Sequence, residues 1–236
     1  MGVFSFRQFD VDDSGCGMKV CSDSVLLAAW FAAAYPTAGS IADIGTGSGV
    51  LALISAQVCA DAIVTGVELD AAAASAARYN FANSPFGARL GVEECDFAQW
   101  RPEGGSFDLI ISNPPYFATG ERSSDTARAA ARHQSALGYA SLVRRAPSLL
   151  APDGHLGMVS PAESEREIIF EAELSGLKLR RILRVHTSPR KPCTRLLWDF
   201  ALSDGPVDDR RLNLRDGSGA LDRDYVAVVD PFYLKI

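Results

Sequence analysis

Residues 42–53 read ADIGTGSGVLAL, and the way this stretch divides decides the fold. Its left end completes an apolar run, Ser40–Ile44, that suits a strand, and from Gly49 onward its apolar residues suit a helix. Between them stand Gly45, Gly47 and Gly49. Glycine lets backbone approach a ligand where a Cβ would collide, and a helix opening directly behind such a turn presents unpaired N–H groups. Strand, glycine turn and helix in that order begin an α/β unit and mark a site for a small polar or anionic ligand. A dinucleotide fingerprint would place its third glycine at position 50, where this chain has Val50. The spacing is therefore G-x-G-x-G.

Outward from that stretch, short apolar runs alternate with helix-compatible segments, the pattern of a mostly parallel sheet with helices on both faces. Strands are expected over Ser40–Ile44, Ala62–Glu68, Arg89–Asp96, Phe107–Ser112, His155–Ser160, Lys178–Thr187 and Arg195–Leu202, giving a seven-stranded sheet. Helices are expected over Asp23–Tyr35, Gly49–Cys59, Ala71–Phe81, Ser135–Leu150 and Ala162–Ser175, the last beginning beside Pro161. The turn-rich SPRKPCT between the last two strands leaves no room for a helix, so they form an antiparallel hairpin at one edge. With no internal repeat and no Ser/Pro linker, residues 1–236 read as a single domain: 1–38 a leading segment and helix, 39–236 the sheet core with its C-terminal hairpin. Ala118–Gln134, polar and arginine-bearing, is long enough to be a functional loop.

The strand ends carry acids in a telling order. Asp43, just before the first glycine, suits a ligand with a positive ammonium or sulfonium end better than a pyrophosphate. Glu68 ends the next strand, where a carboxylate can accept both hydroxyls of a ribose. Asp96 ends the third and can accept from an adenine amino group, with Phe97 beside it to pack on the ring. In open α/β sheets ligands bind beyond the carboxyl ends of the strands. Three such ends converging on one nucleoside point to S-adenosylmethionine, with Asp43, Gly45, Thr46, Gly47, Glu68, Leu69, Asp96, Phe97 and Asn113 as its cofactor-binding set.

After the fourth strand comes ISNPPYF, residues 111–117. Proline fixes φ, removes a donor and pushes the residue before it into extended geometry, so Asn113, Pro114 and Pro115 form a stiff loop. The Asn113 side-chain oxygen and the Pro114 carbonyl can then accept both hydrogens of one planar NH2 group. An exocyclic amine is a poor nucleophile while its lone pair is delocalised into the ring. Holding its two hydrogens out of plane restores sp3 character and aims the lone pair at a transferable methyl, which is catalysis by positioning and electrostatics. Tyr116 offers a ring for a planar substrate to stack on, with Phe117 as a second wall. Asn113, Pro114, Pro115 and Tyr116 are the expected catalytic residues.

Bulk properties bound the rest. The longest apolar run, Val25–Tyr35, is well short of the roughly 20 residues a membrane-spanning helix needs, and MGVFSFRQFDVDD acquires charge before a signal-type apolar region can form. A cytoplasmic monomer is expected. Five scattered cysteines and three distant histidines show no metal-ligand spacing, so no metal is expected. The net charge of −6 argues mildly against a polyanionic partner. Yet no acid falls between Glu173 and Asp199, while Lys178, Arg180, Arg181, Arg184, Arg190, Lys191 and Arg195 do, a local basic stripe.

ADIGTGSGVLAL, VELD and SNPPYF together resemble the class I S-adenosylmethionine-dependent methyltransferases of the amino-methylating branch, with their Rossmann-like fold. The segment FSFRQFDVDDSGCGMKVCSDSVLLAAW, residues 4–30, and the ending DPFYLKI are similar to the narrower bacterial family of valine-tRNA adenine-N6 methyltransferases. That resemblance implies N6-methylation of an adenine beside the anticodon, position 37 in tRNA numbering. It implies that the segment with Met18, Lys19, Ser22 and Asp23 covers the cofactor, and that Lys19 and Ser22 meet the methionine carboxylate. The chain departs from the family's usual glycine and threonine before the aspartate, having Cys21 and Ser22. With tRNA as partner, Arg122, Arg128 and Arg132 in the long loop, and Arg190, Lys191 and Arg195 in the stripe, are the expected phosphate contacts. The alternatives are methylation of a protein glutamine amide, whose NH2 the same loop would accept, an RNA-binding protein that performs no transfer, and a nucleotide-dependent oxidoreductase.

Overall fold

The computed structural model describes residues 2–115 and 138–235. A short antiparallel hairpin, β1 (Val3–Ser5) and β2 (Asp10–Asp12), comes first, followed by α1 (Ser22–Ala32). The central units are β3 (Ser40–Ile44), α2 (Val50–Val58), β4 (Ile63–Glu68), α3 (Ala71–Ala82), β5 (Leu90–Glu94) and β6 (Phe107–Ser112). Then follow α4 (Tyr139–Arg145), β7 (Leu150–Pro161), α5 (Glu165–Leu174), β8 (Lys178–His186), β9 (Cys193–Ala201), β10 (Asp208–Asn213) and α6 (Arg223–Val229).

The main sheet has the order β10-β8-β9-β7-β6-β3-β4-β5. β3 to β7 pair in parallel, whereas β9 is antiparallel to both β7 and β8, and β10 is parallel to β8. Two reversals through β9 turn β8 and β10 back into the direction of β6. The strand order reverses between β3 and β6, and a crevice at such a switch point, beyond the strand ends, is where these sheets bind ligands.

Period-two alternation sorts each strand's side chains onto two cores. Ile41, Leu109, Ile111, Leu183 and Val185 join α1, α2, α3 and α6 on one face. Ala42, Ile110, Ile182 and Trp198 join α4 and α5 on the other. Both faces being covered explains why β3 and β6 read as continuous apolar runs.

The chain's ends meet. The Arg7 amide and Nε donate to the carbonyls of Phe232 and Tyr233 at 2.8 and 2.7 Å, its guanidinium pairs with Asp230 at 2.8 Å, and Phe6 stacks on Tyr233. Asn80 of α3, 2% exposed, receives the Asp12 amide at 2.9 Å and donates to the carbonyls of Asp12 and Ser48 at 3.0 and 2.8 Å. One buried amide thus ties the N-terminal hairpin to the glycine turn.

Four expectations are corrected. The main sheet has eight strands, not seven: β10 reads DDRRLN, and with the other five residues polar or charged only the buried Leu212 shows an inward side. The β8–β9 hairpin is accordingly not the edge, which β10 forms instead. The helix expected to run to Leu150 ends at Arg145 and passes into a 3-10 turn at Ala146–Ser148, since Pro147 cannot supply the next helical N–H. Pro161, placed beside a helix start, is the last residue of β7, and Ala162–Ser164 form a 3-10 turn before α5. Among the described residues no helix is long and apolar enough to cross a membrane.

Candidate active site

Four adjacent strand ends are tied together across the switch point. Ser112 Oγ at the end of β6 donates to the Ile44 carbonyl of β3 at 2.7 Å. The Gly45 and Thr46 amides donate to the Val67 carbonyl of β4 at 2.8 and 3.1 Å, and the Cys95 amide beyond β5 donates to the Glu68 carbonyl at 2.9 Å. These bonds put Asn113, the glycine turn, Glu68 and Asp96 along one edge of the sheet.

Asp43 is fully buried and organises the turn from beneath. Its Oδ2 accepts from Thr46 Oγ1 at 2.6 Å and from the Ala52 amide at 3.1 Å. The second bond caps an orphan donor in the first turn of α2, a helix whose N-cap, Gly49, has no side chain to do so. Among the described residues Asp43 Oδ1 has no hydrogen-bond partner. Burial pushes the carboxyl up to about 7, against the opposing pull of its bonds from Thr46 and Ala52.

Gly47 and Gly49 both lie in the left-handed region, at φ 56° and 86°, for different reasons. A Cβ on Gly49 would fall 2.4 Å from Phe81 Cε1, so close packing requires that glycine. A Cβ on Gly47 would meet nothing within 4 Å. Among the described residues, its missing side chain opens space over the turn that no atom fills. Glu68 borders that turn, with Oε2 accepting the Gly47 amide at 2.8 Å and Oε1 accepting the Leu69 and Asp70 amides at 2.9 and 3.0 Å. Three backbone donors fix this carboxylate, and Oε2, which accepts only one of them, keeps a further lone pair for a hydroxyl group. An open cradle over glycine, flanked by one fixed carboxylate and one buried carboxylate with an unpartnered oxygen, fits a nucleoside that carries a positive charge.

The other expected cofactor residues vary in setting. Leu69 is exposed, and Asp96 Oδ1 accepts the Ala98 amide at 2.8 Å. The Phe97 ring is buried under the Arg145 guanidinium, 5.1 Å from the ring centre. Lys19 Nζ donates to the Asp13 carbonyl at 2.6 Å and lies 3.5 Å from the Asp13 carboxylate. Ser22 is the first residue of α1, and its neighbour Cys21 is the N-cap.

Asn113 is 6% exposed, Pro114 is buried and Pro115 half-buried at the end of β6. Asn113 Nδ2 donates to Ser24 Oγ of α1 at 2.8 Å and lies 3.6 Å from Cys21 Sγ. Tyr116, Phe117, Arg122, Arg128 and Arg132 lie outside the described residues.

Three of the seven cations in the basic stripe pair with acids. Arg184 pairs with Glu165 and Asp209, Arg181 reaches Asp199 at 3.5 Å and covers the Trp30 ring, and Arg195 pairs with Asp23 at 2.9 Å. Arg190 and Lys191 are exposed on the β8–β9 turn. Because β8 runs in the direction of β6, that turn stands at the same edge of the sheet as Asn113. Among the described residues no group of three or more His, Cys, Asp or Glu could hold a metal.

Two participants escaped the sequence reading. Asn80 had a signal, the single side-chain amide in AAAASAARYNFA. Ser24 had none, since a serine in the first turn of a helix is commonplace.

Comparison with known proteins agrees with this geometry. The methyltransferase small domain model matches residues 2–180. A curated relative from Photobacterium profundum, tRNA1(Val) (adenine(37)-N6)-methyltransferase, is 40% identical, covering 99% of this chain and 98% of its own. A crystal structure of a predicted O-methyltransferase from Agrobacterium tumefaciens superposes with a TM-score of 0.68 at 24% identity, covering 89% of this chain and 96% of its own. A glycopeptide N-methyltransferase complexed with sinefungin, an S-adenosylmethionine analogue, gives 0.57 at 13% identity, covering 78% and 89%. Those two likenesses show the Rossmann-like fold. Full-length identity and the matched domain show more: the chain is a methyltransferase of the small-domain class and belongs to the bacterial valine-tRNA adenine-N6 methyltransferase family.

Proposed function

We propose that the protein transfers a methyl group from S-adenosylmethionine to N6 of an adenine in tRNA, namely adenine 37 of valine tRNA. The observation that carries this reading is the juxtaposition of Asn113 and Pro114 with the open glycine turn, joined by the Ser112–Ile44 bond. The full-length relatives named for this reaction supply the substrate.

S-adenosylmethionine brings an electrophilic methyl on a sulfonium. In the proposed arrangement Glu68 accepts the ribose hydroxyls, Asp96 the adenine amino group, and Gly45, Thr46 and Gly47 leave room for the backbone to lie close. Phe97 and Leu69 border the adenine, Asp43 supplies negative charge beneath the turn, and Lys19 and Ser22 meet the methionine carboxylate. Asn113 Oδ1 and the Pro114 carbonyl accept the two hydrogens of the substrate amino group, turning its lone pair out of the ring plane. Pro115 holds that loop stiff and Tyr116 stacks on the base. A target in an anticodon loop is already single-stranded, which lowers the cost of presenting it. Arg190 and Lys191, with Arg195 and the loop arginines 122, 128 and 132, receive phosphates.

The test is incubation of the purified protein with unmodified valine tRNA and labelled S-adenosylmethionine, followed by nucleoside mass spectrometry. N6-methyladenosine at position 37 is expected. Label in protein glutamine and none in tRNA would overturn the substrate assignment.

A further inference from the structure

We infer that Arg145 of α4 is a positioning residue that holds Asp96 ready for the adenine amino group of the cofactor; this rests on the S-adenosylmethionine site proposed above. A carboxylate recognises an amino group only while one of its oxygens stands where the N–H will come. Asp96 follows β5, an edge strand of the sheet, so on one side its turn has no neighbouring strand to steady it. Inside the turn, the Ala98 amide donates to Asp96 Oδ1 at 2.8 Å and the Gln99 amide to the Asp96 carbonyl at 2.9 Å. These short-range bonds set the shape of the turn, and among the described residues Asp96 Oδ2 accepts no hydrogen bond. They do not set where the turn sits against the rest of the protein.

Arg145 sets that. Its guanidinium lies over the Phe97 ring, and its two terminal nitrogens donate to the Ala98 and Trp100 carbonyls. Among the described residues these are the only hydrogen bonds that join residues 96–100 to a residue outside 93–101. Packing of Phe97 and Trp100 into the second core seats two points of the segment, but Ala98 between them is exposed. Ala98 is therefore gripped from both sides: Arg145 holds its carbonyl, and its amide holds the Asp96 carboxylate. A single donor could tether one carbonyl, whereas the planar guanidinium spans two and so fixes the tilt of the turn as well as its distance. The helix beneath is firm, with Leu142 and Val143 in the second core and Arg144 paired with Glu171 of α5 at 2.7 Å. Neither Arg145 nor Ala98 has to touch the cofactor for this role.

The test compares binding of S-adenosylhomocysteine with that of its inosine counterpart, in which a carbonyl replaces the 6-amino group. Wild type should bind the adenosyl form at least about tenfold tighter, the size of a hydrogen bond to a charged acceptor. In Arg145→Ala the adenosyl form should weaken about tenfold while the inosyl form stays within about threefold, so the preference collapses. Arg145→Lys keeps the charge and most of the stem, and with them the packing, yet one ammonium cannot span both carbonyls; it should lose the preference as well. In both variants KM for S-adenosylmethionine should rise about tenfold, with kcat at saturating cofactor within about twofold of wild type. A general loosening of the fold would weaken both ligands alike and leave the preference unchanged. That result, or wild-type preference in Arg145→Lys, overturns the inference while the cofactor site stands. No preference in wild type removes the role of Asp96 and the inference with it. Wild-type protein that shows the preference yet leaves tRNA unmethylated would sink the proposed function and leave the Arg145 grip intact.

Discussion

Replacing Gly47 by alanine separates the demands of folding from those of the ligand. Among the described residues the added methyl meets no atom within 4 Å, so its cost to the free protein is backbone strain at φ 56°. Holding a residue with a Cβ in the left-handed region costs about 1–2 kcal/mol, and the reduced freedom of the unfolded chain returns about 0.4–1 kcal/mol of that. The net loss should be about 1 kcal/mol, or about 2–4 °C in Tm for a chain of this size. Gly49→Ala makes the control, because there the methyl lands 2.4 Å from the buried Phe81 ring as well as at φ 86°. Overpacking should add about 1–3 kcal/mol to the same strain. Thermal unfolding without ligand should therefore rank wild type, Gly47→Ala and Gly49→Ala in falling order. Calorimetric titration with S-adenosylmethionine should show at least about a tenfold weaker Kd for Gly47→Ala, because the methyl occupies the cradle. A Gly47→Ala protein that melts as expected but binds with wild-type affinity would refute the placement of the cofactor over this turn.

Four further outcomes are open to measurement. Asp43 is raised to about 7 by burial, so the folded state holds its proton more tightly than the unfolded chain, and stability should fall as pH rises from about 4 through about 7, by up to about 4 kcal/mol; denaturant midpoints of Asp43→Asn at pH 5 and 8 should lose most of that difference. Asn113→Ala should lower kcat by about 10²–10³ while cofactor affinity stays within a few-fold, and a parallel loss of both would contradict its assigned role. Asn80→Ala removes the bonds to Asp12 and Ser48 and should cost about 3 kcal/mol, with faster hydrogen exchange over residues 2–13 as the local signature. Arg190→Ala with Lys191→Ala should reduce the salt dependence of tRNA binding by about two units of slope, and an unchanged slope would remove that turn from the RNA surface.

Legibility in the sequence followed how local the determinants are. β3, β4 and β6 could be placed within about a residue because each is an apolar run closed by a glycine, an acid or a proline. β10 could not, since five of its six residues are polar or charged and the Asp209 pairing with Arg184 of β8 has no local sequence signal, so the segment reads as a loop. The glycine turn and the acids at the strand ends were visible for the same local reason. The basic stripe shows the opposite limit: the carboxylates that pair with Arg184 and Arg195 come from α5, β10 and the start of α1, and no local pattern announces them. Ser24 was hidden because its partner, Asn113, lies 89 residues away.

The ends of the chain meet through Arg7, and 223 residues separate it from Asp230. During synthesis the first hairpin leaves the ribosome long before its docking partners exist. Asn80 can receive Asp12 once α3 has formed, but Phe6 and Arg7 must wait for Phe232 and Tyr233 to emerge. Closure beside the glycine turn is thereby deferred until residues 230–233 have been made, after every strand of the main sheet, so the hairpin that folds first is among the last pieces to be locked down.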